Sequence, residues 1–244
     1  MSLLAFLPLG GLMGFLAGFL GTGGGTLAIP ALILFFGYDQ KLAQGTVLVM
    51  VVLNVFKGFF KYRGHAATDW RLVGYLVPSA GLAALGGALI AHHLDSAELQ
   101  VGYGAFMLLL IIPMLLTKQG LRLKTPLAAP WAIVPGTLGG ITLGLFGIGG
   151  AMLAVPFLTT CFGQNQVRAQ GTALAVAMPG CLLSFIPYVW SGLVHWPVAI
   201  LLVIGSLATV GWGVRSAHRV DERLLVAAFC GLLAATGISL LVRG

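Results

Sequence analysis

The feature that most limits what this chain can become is a glycine cluster set inside a hydrophobic run, and it occurs twice. Gly21-Thr22-Gly23-Gly24-Gly25-Thr26-Leu27-Ala28-Ile29-Pro30 returns 126 positions later as Gly147-Ile148-Gly149-Gly150-Ala151-Met152-Leu153-Ala154-Val155-Pro156. The register then holds without a gap. Gly37 falls on Gly163, Ala43-Gln44-Gly45-Thr46 on Ala169-Gln170-Gly171-Thr172, Tyr62 on Tyr188 and Trp70 on Trp196. From Leu12 to Thr46 about half of the aligned positions are identical, which marks an internal duplication.

Composition decides the solvent. Charged residues make up 8% of the chain, hydrophobic residues 59%, and the mean hydropathy is +1.02. A soluble domain carries about 25% charged residues, so this chain cannot cover itself for water. Its apolar runs approach or exceed the roughly 18–20 residues that cross a bilayer as helix, and they lack the alternation of barrel strands. The net charge of +7 comes from thirteen Lys/Arg scattered over short loops, a pattern that fits lipid headgroups and a positive-inside bias and gives no reason for nucleic acid. Cys161, Cys181 and Cys230 lie inside apolar segments without paired spacing, so they read as small buried hydrophobes. No Lys or Arg precedes the apolar stretch at the N-terminus, so that stretch is expected to belong to the mature protein.

Breaks in hydrophobicity give five segments per half: 3–20, 26–36, 42–60, 72–91 and 99–117, then 131–146, 152–162, 169–190, 198–214 and 224–242. The expected organisation is a first transmembrane repeat over 1–117, a basic cytoplasmic linker over 118–130 and a second repeat over 131–244. The second segment of each half is short. Eleven helical residues rise about 16 Å, near half the hydrocarbon core. The economical reading is a helix that enters, breaks at the glycines and returns as a half-helix, which at membrane depth survives only buried in protein or lining a cavity. Pro179 and Pro187 should kink or end the third segment of the second half.

Loop charge sets the expected topology. Lys57, Lys61, Arg63 and Arg71, then Lys118, Arg122 and Lys124, then Arg215, Arg219 and Arg223 mark three cytoplasmic connections. The connections with His92, His93, Asp95 and Glu98, or with His195 alone, should face outside. With three full spans per half, the halves come out inverted in the membrane, a recurrent design of secondary transporters. Counting each broken pair as one kinked span gives eight helices and parallel halves instead; inversion accounts better for the loop charges.

Two kinds of residue can carry binding. The clusters Gly21, Thr22, Gly23, Gly24, Gly25 and Gly147, Gly149, Gly150 leave main-chain N–H groups open to a ligand, and the half-helices starting near Thr26 and Met152 add the positive end of a helix dipole. Two such ends across a pseudo-two-fold axis could hold an oxyanion without a charged side chain; close helix packing is the competing use of glycine here, and the better one for Gly10, Gly11, Gly14 and Gly18. Gln44, Thr46, Gln170 and Thr172 could donate to the same ligand, although threonines also back-bond to their own helix. Asn54 and Lys57 share a helix face, where the lysine is better placed to snorkel to the interface. No acidic residue falls inside an apolar segment, so no intramembrane carboxylate couples ions. No metal-ligand spacing, cofactor motif or nucleophile–base constellation is present, so no cofactor, no metal and no enzyme is expected.

The run Gly-Phe-Leu-Gly-Thr-Gly-Gly-Gly with Pro30 and Ala43-Gln44-Gly45-Thr46, repeated as Leu145-Phe146-Gly147-Ile148-Gly149-Gly150 with Pro156 and Gln170-Gly171-Thr172, resembles the sulfite exporter TauE/SafE family over nearly the whole chain. Ala151 and Pro179-Gly180 depart from the pattern in the second copy. The resemblance implies a multi-pass permease of the bacterial or archaeal inner membrane for sulfur-containing anions such as sulfite or organosulfonates. The expected fold is therefore all-α: a polytopic integral membrane protein of two homologous, inverted-topology repeats with glycine-broken re-entrant or short helices. Its partners are a small sulfur oxyanion or sulfonate and the lipid bilayer, with room for a homo-oligomer. A passive anion channel using the same donors, and a membrane scaffold or assembly protein using the glycines only for packing, stay open beside the exporter reading.

Overall fold

A computed structural model describes residues 3–20, 24–63, 69–118, 126–148, 150–217 and 222–243. Of the candidate binding residues, Gly21, Thr22, Gly23 and Gly149 lie outside the described residues, as does most of the basic linker. The helices are α1 (Phe6–Leu20), α2 (Gly25–Phe36), α3 (Gln40–Arg63), α4 (Trp70–His93), α5 (Ser96–Lys118), α6 (Ile133–Phe146), α7 (Gly150–Thr160), α8 (Gln166–Trp190), α9 (Trp196–Ala217) and α10 (Glu222–Arg243), with single 3-10 turns at Leu3–Ala5 and Ala129–Ala132. No strand occurs among the described residues.

Local sequence explains the boundaries. Asp69 caps α4, its carboxylate accepting from the N–H groups of Arg71 and Leu72, and Asn165 caps α8 by accepting from Arg168 N–H. Both half-helices stop at a left-handed glycine, Gly37 or Gly163. The next N–H then reaches back six residues, Tyr38 to Leu32 O at 3.1 Å and Gln164 to Leu158 O at 3.1 Å. Pro179 and Pro187 do not end α8, which continues to Trp190. In a membrane helix the carbonyls that a proline frees can be satisfied by neighbouring groups.

Six stretches are long and apolar enough to cross a membrane, from Gln40–Phe60 to Trp196–Gly213. The molecule is a polytopic, all-α membrane protein. Contact registers give the helix directions. Gly10 lies on Leu202 and Gly14 on Ser206, so α1 and α9 run parallel. Thr46 meets His195 and Asn54 meets Ser206, so α3 points the same way. Gly45 lies on Tyr188 but Gly58 on Leu174, so α8 is antiparallel to α3. Val73 packs with Ala175 and His92 with Ser191, which sets α4 along α8. Gly136 on Leu76 and Gly140 on Ala80 set α6 along α4.

Helices α1, α3 and α9 thus run one way and α6, α8 and α4 the other. Each helix of the first set opposes the one that matches it in the duplication. The seams are also the same seam: Gly10–Leu202 and Gly136–Leu76 are one contact displaced by 126 residues, as are Gly14–Ser206 and Gly140–Ala80. At each of these glycines a Cβ would fall onto the backbone of the facing helix, so packing is their role. The core sits around α2 and α3, with Ile29, Leu32, Met50, Tyr103 and Phe229 fully enclosed.

Candidate functional site

Each half opens with a helical hairpin. Phe6 stacks on Phe36 at 4.5 Å between ring centroids, so α1 and α2 begin and end on one face, the face that also bears Tyr38, His92 and His195. Leu127 N–H donates to Cys161 O at 2.9 Å, which closes the α6–α7 hairpin on the opposite face. The first arms reach deep: Phe15 and Phe19 of α1 lie against Gly213, near the far end of α9. The return helices start in the interior. Gly24 sits beside Met13 and Ala17 of its own first arm and Met50 of α3.

The two tips meet. A Cβ on Gly25 would touch Ile148 and the carbonyl of Gly147, and one on Gly147 would meet Ile29 and Leu48. Thr26 Oγ1 donates to Met152 Sδ at 3.2 Å. These two residues are counterparts in the duplication, so the pseudo-two-fold axis runs between them. Tyr103 OH donates to Thr26 O at 3.2 Å and holds the first tip from α5.

Glycine is required at the described bends, and the counterpart of Gly24, Gly150, is already helical. Gly24 has φ +86° immediately before α2, and Gly147 has φ +69° immediately after α6. A side chain would be strained at either. Gly24 gives α2 no side-chain cap, and by helical geometry the N–H groups of Gly25, Thr26 and Leu27 have no partner within the helix. Those residues are buried among apolar side chains. The dipole end of a helix in such surroundings favours an anion.

The two tips differ in packing. Positions held by Met13, Met50 and Val51 around the first tip carry Gly139, Val176 and Ala177 around the second. A small crevice with room for about one water results, lined by Gly139, Leu143, Gly150, Ala154 and Val176. Residues Gly25–Leu32 of α2 are all buried, whereas α7 buries only Ala154, Leu158 and Thr159.

The other candidate residues are spread along the axis of the bundle. Gln44 is fully buried, and its Oε1 accepts from Tyr188 OH at 2.9 Å. The same hydroxyl lies 3.3 Å from Gly144 O, just before the second tip. Thr46 Oγ1 donates to Leu42 O at 2.6 Å and accepts from His195 N–H at 3.0 Å, holding the start of α9. Asn54 lies one turn beyond Met50 and is paired with Ser206, Nδ2 to Oγ at 2.7 Å. Gln170 is half-buried, and Thr172 is fully buried with its hydroxyl unpartnered. Lys57 extends to the surface and caps Leu207 O at 2.7 Å.

The structure therefore brings Gly24, Gly25, Thr26 and Gly147 together. It sets Gly150 at the edge of the crevice behind the second tip and holds Gln44, Thr46 and Asn54 in contacts between helices. Sequence reasoning missed Met152 as the partner of Thr26, although their 126-residue offset is the repeat length. It also missed Tyr103 and Tyr188, whose hydroxyls are the polar atoms that reach the tips from other helices. No group of three or more His, Cys, Asp or Glu that could hold a metal occurs among the described residues.

A multi-pass helical membrane protein with two helical hairpins meeting in its interior has a build that suits a transporter. Comparison with known proteins agrees. The profile of the sulfite exporter TauE/SafE family matches residues 6–240, and the chain belongs to that family. It is 29% identical over 230 residues to a probable membrane transporter protein of Xylella fastidiosa (strain Temecula1), covering 90% of this chain and 87% of that one. It is 25% identical to the probable membrane transporter protein MJ0441 of Methanocaldococcus jannaschii, over 98% of this chain and 97% of its relative. With YunE of Bacillus subtilis, also a probable membrane transporter protein, the identity is 22% over 100% and 99% of the two chains. No solved structure matches. The protein is a membrane transporter.

Proposed function

We propose that this transporter carries small sulfur-containing anions, such as sulfite or organosulfonates, outward across the cytoplasmic membrane. The anion binds between the two hairpin tips and crosses by rocking of one half against the other. The observation that carries this reading is the meeting of the tips across Thr26 and Met152, with the N-terminal end of α2 buried beside it. Such a site attracts an anion without a buried countercharge, so it can release its cargo as well as bind it. The family supports sulfite as the type of cargo.

Thermal unfolding of the purified protein against sulfite, sulfate, thiosulfate, sulfoacetate, taurine and chloride tests the reading. A ligand at 100 times its Kd should add about 2.7 kcal/mol, visible as a raised midpoint. One sulfur anion should raise it, and Thr26→Val should shrink the rise in protein that is still folded. Equal midpoints for every anion would overturn the sulfur-anion assignment. Transport without saturation or counterflow in proteoliposomes would replace the carrier by a channel.

A further inference from the structure

Buried polar atoms point to a second station on the path. Gln40 and Gln44 lie one turn apart on one face of α3, 1% and 0% exposed. Gln40 Oε1, Gln40 Nε2 and Gln44 Nε2 have no partner. Buried amides are almost always hydrogen-bonded, because leaving one unpaired costs its full desolvation. Two such amides stacked on one helix face call for partners in another state of the protein.

One side chain covers the inner of the two, Gln44. Tyr188 crosses Gly45, where a Cβ would lie 3.2 Å from its ring, to place its hydroxyl on Gln44 Oε1. On the other side of Tyr188, Lys41, Ala88, Ala91, His92 and Leu193 line a shallow recess on the His195 face that is closed even to water in this conformation. Lys41 Nζ is held at its edge by a 3.0 Å bond to His92 O. The nearby Asp39 carboxylate is turned to Lys41 N–H and Ser96 Oγ, and Glu98 accepts from Asp95 N–H. Inward from Tyr188, the next turn of α3 brings Leu48 against Gly147 at the second tip.

We propose that Lys41, Gln40 and Gln44 form a second binding station for a small oxyanion, between the recess and the hairpin tips, and that the Tyr188–Gln44 hydrogen bond closes it in this conformation. The proposal rests on reading the protein as an anion transporter. Opening Tyr188 frees its hydroxyl, and the station then offers an ammonium, two amide N–H₂ groups and a phenol as donors. An oxyanion needs donors, and it supplies the acceptor that Gln40 Nε2 and Gln44 Nε2 lack.

Cysteine reactivity tests this without knowing the cargo. In a cysteine-free background, Ala91→Cys reports the recess and Leu48→Cys reports the space behind Tyr188. The probes are 2-sulfonatoethyl methanethiosulfonate and its trimethylammonium analogue. The anionic probe should modify Ala91→Cys about 10-fold faster than the cationic one, and Lys41→Gln should bring the two rates together. Leu48→Cys should be inert with Tyr188 in place and reactive in Tyr188→Phe, a change that removes one oxygen and keeps the ring. Equal probe rates with Lys41 present, or Leu48→Cys staying inert in Tyr188→Phe, would overturn the station. Counterflow of sulfur anions measured on the same proteins separates the two readings. Intact counterflow with no probe preference sinks the station alone; probe preference without counterflow of any anion sinks the carrier and keeps the recess as an anion site.

Discussion

The Gln44-Gly45-Thr46 triplet shows how three adjacent residues can each hold a different neighbour. Gln44 takes Tyr188 OH, Gly45 lets Leu193 O and the Tyr188 ring lie on its backbone, and Thr46 takes His195 N–H. Together they dock the turn between α8 and α9 onto α3. Gly45→Ala should therefore destabilise the protein by about 1–3 kcal/mol, since its Cβ would fall on a backbone carbonyl that has little room to move. Thr46→Val should cost about 1 kcal/mol even without ligand, because it leaves His195 N–H without its acceptor. Both are read as midpoints of thermal unfolding in detergent. By contrast Gly74→Ala, where nothing lies within 4 Å, should be neutral or should stabilise α4 by about 0.5–1 kcal/mol. The triplet was visible in the sequence as a repeated polar spot in apolar surroundings. Its docking role was not, because Tyr188 and His195 lie some 150 residues away and no local pattern names them.

At the level of helices, much more was legible. All ten apolar segments are helices, and the short second segment of each half is a half-helix of 12 or 11 residues. Hydropathy and length suffice for that, because in lipid a backbone has few other ways to satisfy its polar groups. Boundaries moved by a few residues where capping decides them: Asn165 starts α8 ahead of its apolar run, and Gly25 and Gly150 already belong to their half-helices. The prolines of α8 do not end it, since a proline acts as a stop only where water or a turn can take over the freed carbonyls. The seams between helices follow from glycine spacing. Gly14→Ala and Gly140→Ala press a methyl onto Ser206 and Ala80, at the same contact in the two halves. Each should lower stability by about 1–3 kcal/mol and by similar amounts, whereas Gly86→Ala, which faces open space on α4, should leave the midpoint unchanged or slightly raised. Unequal losses at the paired sites would show that the two seams carry different loads.

For the whole molecule, the helix directions place the start of the α1–α2 hairpin and the start of the α6–α7 hairpin on opposite faces. Labelling tests this in cells. Ser191→Cys should react with an impermeant thiol reagent from outside, and Pro126→Cys only after the membrane is opened; reaction of both from one side would refute opposed halves. The contact of Thr26 with Met152 then carries a historical meaning. In a homodimer, a residue on the two-fold axis can meet only its own copy, so an ancestor built from one half would have paired like with like in two subunits inserted in opposite senses. Once the halves were joined in one chain, the two positions became free to differ. One now carries a hydroxyl and the other a thioether, which can only accept, so the bond between them has a fixed direction. The same freedom put Gly139, Val176 and Ala177 on one flank of the centre where the other has Met13, Met50 and Val51. Any ligand entering between the tips would meet unlike sides, and could be held in one orientation because the two copies stopped being copies.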